Sequence, residues 1–220
     1  MTISGAFAYD NVFLVDGVDV NDNLFGTANN LFIEDAIDET QVLTSGISAE
    51  YGRFSGGVVN MVTKTGGNEF SGSFRVNVSN DSWNGETPLT VSQEDTNNYI
   101  YEATFGGYIL RDALWFFAAG RDREDSGSDQ LITPGQPEAG IPYPTTAEQQ
   151  RLEGKLTGSF GPRHRVMLSY LDIEDDRTNQ INFAPSPSLD GIVAEESVPQ
   201  TGLSVTYTGV LSDSFFLEGL

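Results

Sequence analysis

Residues 48–79 read SAEYGRFSGGVVNMVTKTGGNEFSGSFRVNVS, and the pattern of side chains changes in the middle of them. The run GVVNMVT is apolar almost throughout and closes at Thr63. Gly66 and Gly67 follow, and from Phe70 the period becomes two. Phe70, Gly72, Phe74, Val76 and Val78 alternate with Ser71, Ser73, Arg75, Asn77 and Ser79. A strand covered on both faces reads as a continuous apolar run, whereas a strand between two unlike environments alternates. The chain therefore passes, across residues 64–68, from a buried pattern to a two-faced one.

The two-faced pattern repeats to the end of the chain. YIYEATFGGYI sets Tyr99, Tyr101, Ala103, Phe105, Gly107 and Ile109 against Glu102, Thr104, Gly106 and Tyr108. LWFFAAGRD comes straight back, with Trp115, Phe117 and Ala119 expected on the apolar face; its other face, with Leu114 and Phe116, is less polar than the rule asks. RLEGKLTGSF alternates Leu152, Leu156 and Phe160 with Arg151, Glu153, Lys155, Thr157 and Ser159. Val166, Leu168 and Tyr170 mark another strand, Leu203, Val205, Tyr207 and Leu211 a further one, and a last begins at Phe215.

Connections between these strands alternate strictly in length. Residues 110–113, 161–165 and 211–214 are short; 80–98, 122–147 and 172–200 are long. An antiparallel meander with every short turn on one side follows, an asymmetry typical of outer-membrane barrels. A soluble sandwich also alternates, with its apolar residues facing a core. Parity alone does not say which face is wet.

Upstream, residues 9–64 read as mixed α/β. NVFLVDGVDV predicts two short strands joined at Asp16-Gly17, a strong hairpin signal between β-branched residues. NLFIEDAIDETQVLT offers a short helix, with Phe32, Ile33, Ala36 and Ile37 on one face and Glu34, Asp35, Asp38 and Glu39 on the other. QVLT and GVVNMVT read as buried strands, and Gly56-Gly57 lets backbone pass close to neighbouring structure.

Composition narrows the function. Eleven Lys+Arg against 32 Asp+Glu give a formal net charge of -21, so nucleic acid is excluded as a partner because few cations can meet a row of phosphates. The hydrophobic share of 38% is too large for a disordered acidic chain. Cysteine is absent, which removes disulfides, thiol nucleophiles and thiolate metal sites. The first residues show no basic segment followed by an apolar stretch, so the chain is expected to be cytoplasmic or to start inside a longer one. No apolar run approaches the about 20 residues of a membrane helix, but a spanning strand needs only about 9 to 11.

The ordered elements Val15-Asp16-Gly17-Val18, Glu50-Tyr51-Gly52-Arg53, Gly56-Gly57-Val58-Val59-Asn60, Thr63-Lys64 and Gly66-Gly67-Asn68 closely resemble the second half of the plug and the first barrel strand of TonB-dependent outer-membrane receptors, in particular their Oar-like branch. The likeness covers residues 11–78 in motif detail and the rest in architecture. It implies a partial antiparallel membrane β-barrel, with short periplasmic turns and long extracellular loops, preceded by part of a small α/β plug. Residues 1–65 would be the C-terminal part of the plug, and 66–220 the first six to seven barrel strands. Asp16, Gly17, Glu50, Tyr51, Gly52, Arg53, Gly56, Gly57 and Asn60 would be structural or gating residues.

The resemblance further implies uptake of a large extracellular solute across the bacterial outer membrane, with no catalysis and no cofactor. Its partners would be outer-membrane lipid, the extracellular substrate, and the inner-membrane TonB complex acting through a segment absent from this chain, which is expected to be an internal fragment. Asp38-Glu39 and Gln41 depart from siderophore receptors, many of which carry a basic residue and a glutamate there. The rival reading is a soluble secreted β-sandwich used for adhesion or carbohydrate binding.

Other motifs are weaker. DVNDN would place Leu24 and Asn30 where a calcium hand needs Gly and Glu. His164, the only histidine, sits in a tight turn among Pro162, Arg163 and Arg165, where a surface role is expected. Asp172, Glu174, Asp175 and Asp176 form the densest acid cluster, read as a solvated loop or a calcium site. Trp83, Tyr99, Tyr101, Trp115 and Tyr170 fit interfacial girdles and ordinary strand packing alike. The long connections are acidic, and the short ones hold Arg111, Arg163 and Arg165.

Overall fold

The computed structural model describes residues 3–21, 33–48, 51–52, 54–83, 85, 95–130, 142–181 and 193–219. The Asp16-Gly17 hairpin forms as expected. Val15 pairs with Val18 across a two-residue turn, and both turn residues have positive φ, 50° and 83°, as a turn matching the twist of its strands requires. Its strands, β1 (Val12–Val15) and β2 (Val18–Asp19), belong to a four-stranded sheet with β3 (Ile37–Leu43) and β4 (Val58–Thr63), in the order β2-β1-β4-β3. β1 and β4 run parallel at its centre. Val12, Leu14 and Val58 are buried together, with Leu43, Tyr51 and Phe54 packed against them.

The expected helix does not form over its described part. Residues 34–36 make a single 3-10 turn and Ile37 begins β3; residues 30–32 of that stretch lie outside the described residues. Only Ile33 and Ala36 go under cover, which the turn alone achieves. Beyond it, Thr40 and Val42 favour extended backbone, and β3 pairs antiparallel with β4 from Leu43 back to Ile37. β3 is an edge strand with an exposed middle, so the QVLT stretch is not the buried strand expected, whereas β4 is buried.

Eight strands form the second sheet: β5 (Ser71–Asn80), β6 (Asn97–Leu110), β7 (Leu114–Gln130), β8 (Pro142–Ser159), β9 (His164–Ile181), β10 (Val193–Ser197), β11 (Gln200–Ser212) and β12 (Phe215–Gly219). All its pairings are antiparallel. β10 and β11 lie along successive halves of β9, as one strand interrupted at Val198 and Pro199. Proline has no N–H to give the ladder, while the Val198 N–H still donates to the Asp175 carbonyl at 2.9 Å.

The long connections are shorter than the sequence implied. β7 and β8 stay paired out to Gln130 and Pro142, and β8 and β9 stay paired from Ser159 to Thr146. Their polar residues alternate with the register and keep pairing past the apolar band. Strand pairing also divides the acid cluster. Asp175 is buried while its neighbours Glu174 and Asp176 are exposed on the other face, and among the described residues no group of three acids or histidines is placed to hold a metal.

Candidate functional site at the junction of the two sheets

Burial on the large sheet runs opposite to that of a water-soluble sheet. Phe74 is 72% exposed, while Glu102, its near neighbour on β6, is 5% exposed. Tyr99, Tyr101, Phe105, Leu152, Leu156, Leu203 and Val205 point outward, and Thr104, Gln149, Arg151, Glu153, Lys155 and Thr157 are buried on the other face. The four-stranded sheet and the 3-10 turn that leads into β3 cover part of that polar face.

β7 reverses one expectation. Phe117 and Ala119 face inward, packed with Ile33 and Ala36, while Phe116 lies outward against Phe70 and Phe105. Phe117 pairs with Gly106 and Phe116 with Gly107, so parity puts Phe117 with the polar row. Both faces of this stretch are apolar because one is outward and the other is where the small unit docks. That explains the less polar second face seen in the sequence.

Polar contacts fix the docking. The Lys155 Nζ donates to Asp16 Oδ1 at 2.9 Å and to the Thr63 carbonyl at 2.8 Å. Asp16 also accepts from the Thr63 N–H at 2.9 Å and its hydroxyl at 2.7 Å. The Asp16 carboxylate thus joins the hairpin to both β4 and β8. Above this node, Arg75, Glu102, Arg121 and Arg151 occupy one cross-strand row of the inner face. Arg121 Nε approaches Glu102 at 3.7 Å, and Arg75 pairs with Glu34 and Asp35 of the 3-10 turn. By strand register seven of the chain's eleven cations, Arg75, Arg121, Arg123, Arg151, Lys155, Arg165 and Arg177, thus fall in the inner-face rows of an acidic protein.

The linker between the sheets is also held. A Cβ on Gly66 would lie 2.2 Å from the Phe116 carbonyl oxygen and 2.5 Å from that of Gly107, so only glycine lets the linker cross β6 and β7 this closely. Asn68 then caps the β6–β7 turn: its Oδ1 accepts from the Asp112 N–H at 2.9 Å and the Trp115 Nε1–H at 2.8 Å.

The residues singled out from sequence separate into groups. Asp16, Gly17 and Asn60 meet at the hairpin, where Asn60 Oδ1 accepts from the Gly17 N–H at 3.3 Å. Gly56 and Gly57 lie at the far end of β4, where a Cβ would come within 2.1 Å of Asn11 Oδ1 and 2.7 Å of Ile3 Cγ2 respectively. Tyr51 packs on the β1–β4 core, Gly52 has open space around it, and Glu50 and Arg53 lie outside the described residues. Sequence reading put Lys155 only on the polar face of a strand and left Asn11 unmarked. A lysine in the middle of an alternating strand, one of two lysines in the chain, was the available signal.

No protein-family profile matches the chain. It is 35% identical, over an alignment of 255 positions, to the TonB-dependent transporter Oar of Myxococcus xanthus, covering 97% of this chain and 24% of that protein. The chain thus spans about a quarter of that relative's length. Among solved structures, the siderophore receptor PirA from Acinetobacter baumannii superposes with a TM-score of 0.69 at 20% identity, over 94% of this chain and 31% of that one. The outer membrane transporter YddB from Escherichia coli gives 0.69 at 19% identity, over 96% and 30%. At these identities the structures speak for the fold.

Proposed function

The chain belongs to the TonB-dependent outer-membrane receptors, and from that premise we propose that residues 1–65 are part of the plug and residues 66–220 part of the barrel wall of an outer-membrane uptake protein. The observation that carries this reading is the reversed burial of the large sheet. Side chains such as Phe74 and Leu203 are stable outward only against hydrocarbon, and a strand in hydrocarbon must have its backbone groups paired by neighbours. The polar inner face then lines a lumen, and the four-stranded unit blocks it. A sandwich would bury those aromatic and β-branched residues between two sheets.

In this reading the protein moves a large solute inward without changing it chemically. Passage requires the small unit to shift or loosen, and the Asp16–Lys155–Thr63 node is what holds it closed. The inner-membrane TonB complex supplies the work through a part of the receptor outside this chain, and the substrate meets the acidic outer rim first. The relatives found are transporters and receptors, and no acid, base or nucleophile constellation is assigned.

Fractionation of the full-length protein tests this. It is expected in the outer membrane, extractable only with detergent, and to migrate differently on a gel before and after boiling. Recovery from buffer alone as a soluble monomer would overturn the proposal.

A further inference from the structure

We propose that Arg75 is a two-position latch: its guanidinium exchanges Glu34 and Asp35 of the small unit for Glu102 of the wall, so that the 3-10 turn lifts off the large sheet while the Asp16 hairpin stays docked. The inference rests on the reading of residues 1–65 as a plug that moves. In the docked arrangement Arg75 Nη1 donates to Glu34 Oε2 at 2.5 Å and Nη2 donates to Asp35. The same Nη1 stands 4.0 Å from Glu102 Oε2, just beyond hydrogen-bond reach. Arg75 and Glu102 lie directly opposite each other across β5 and β6. Turning the guanidinium closes that gap without moving a strand.

Glu102 is prepared to receive it. Its side chain is 5% exposed, and among the described residues its Oε2 is buried and accepts no hydrogen bond. An oxygen so placed has given up water without meeting a donor. Arg121 Nε, 3.7 Å from Oε1, offsets the carboxylate charge in either position of Arg75 and so does not choose between them. Two carboxylates of the turn, together with the packing of Ile33 and Ala36 on Phe117 and Ala119, favour the docked position. Glu34, however, is 69% exposed, so water competes for that contact and makes it easy to exchange.

Ser73 repeats the arrangement one step along β5. Its hydroxyl lies 3.1 Å from Asp35 Oδ2 and 2.8 Å from Thr104 Oγ1, which faces it on β6. Each β5 side chain that grips the turn thus has a polar partner opposite it on the wall. Lys155 has no such carboxylate: its cross-strand neighbours are Phe117 and Ser169. Withdrawing Asp16 would leave a buried ammonium uncompensated, whereas withdrawing Glu34 and Asp35 hands Arg75 to Glu102. The turn therefore opens more readily than the hairpin.

Hydrogen–deuterium exchange of the detergent-purified full-length receptor, followed in peptides spanning the turn (residues 33–37) and the hairpin (residues 14–18), tests the latch. Glu102→Gln keeps the shape of the side chain and removes its charge. The turn is expected to exchange about tenfold more slowly, because opening no longer forms a charge-assisted hydrogen bond, while the hairpin is unchanged. A Glu102 that merely braced the docked turn would give the opposite sign. Glu102→Asp, which keeps the charge but shortens its reach, is expected to slow the turn less. In an Arg75→Gln background the turn should exchange faster than in wild type, with no further effect of Glu102→Gln. Unchanged or faster exchange in Glu102→Gln, or the same slowing with Arg75 already replaced, would overturn the proposal. Gel mobility before and after boiling checks that each variant folds. A turn that opens only together with β6 in every variant would sink the reading of a separate plug, a result distinguishable from a turn that opens alone but ignores Glu102.

Discussion

Asp16 and Lys155 lie 139 positions apart and meet at 2.9 Å with both side chains almost fully buried, 6% and 3% exposed. One belongs to the tight hairpin of the small unit, the other to the middle of a wall strand. Removing one partner strands a buried charge, which costs roughly 3–5 kcal/mol, whereas replacing both with apolar groups is often neutral. Lys155→Met or Asp16→Asn should therefore destabilise the full-length receptor by about that amount in denaturant titrations, and Asp16→Leu/Lys155→Met should recover much of the loss. Liposome swelling with neutral sugars should show the single variants leaking and the wild type closed.

Arg75 makes the informative contrast. Its side chain is 35% exposed and its partner Glu34 69% exposed, so water screens the contact. Arg75→Ala should cost far less than Lys155→Met in the same denaturant titration, with an effect that shrinks as salt is added. A loss as large as that of Lys155→Met would show that the 3-10 turn carries the docking.

Phe74→Arg separates a lipid-facing wall from a soluble sheet. A charge on the lipid face near the bilayer midplane costs about 2–4 kcal/mol, whereas the same change on a water-exposed sheet would be near neutral. The expected result is a lower folded fraction in lipid vesicles, measured by gel mobility without boiling.

Gly66 and Gly67 are adjacent yet should differ sharply. Gly66→Ala drives a methyl into two carbonyl oxygens, while a Cβ on Gly67 meets nothing within 4 Å. The first should reduce the yield of folded receptor and the second leave it unchanged.

Asn68→Ala removes the acceptor shared by the Asp112 N–H and the Trp115 indole. Two hydrogen bonds at about 1 kcal/mol each predict a loss of roughly 2 kcal/mol, with faster hydrogen exchange confined to the β6–β7 turn.

Much of this was legible in the residues. The period-two runs from Phe70 onward gave the strands and their faces, because alternation is a local consequence of backbone geometry. Asp16-Gly17 announced its hairpin for the same reason. The stretch around Ile33 misled, since two apolar residues three apart suit one 3-10 turn as well as a helix, and β3 won by pairing with β4. Trp115 to Ala119 also misled, because a strand apolar on both faces does not say which face meets the small unit.

Order along the chain determined which residues share a face, where the turns fall, and that the pattern changes at residues 64–68, since each depends on neighbours within a few positions. Which face is buried was decided only in three dimensions, as was the meeting of Asp16 with Lys155 and of Asn68 with Trp115. Those outcomes depend on what packs against what across long separations, and a period of two is the same whether its apolar side meets a protein core or hydrocarbon.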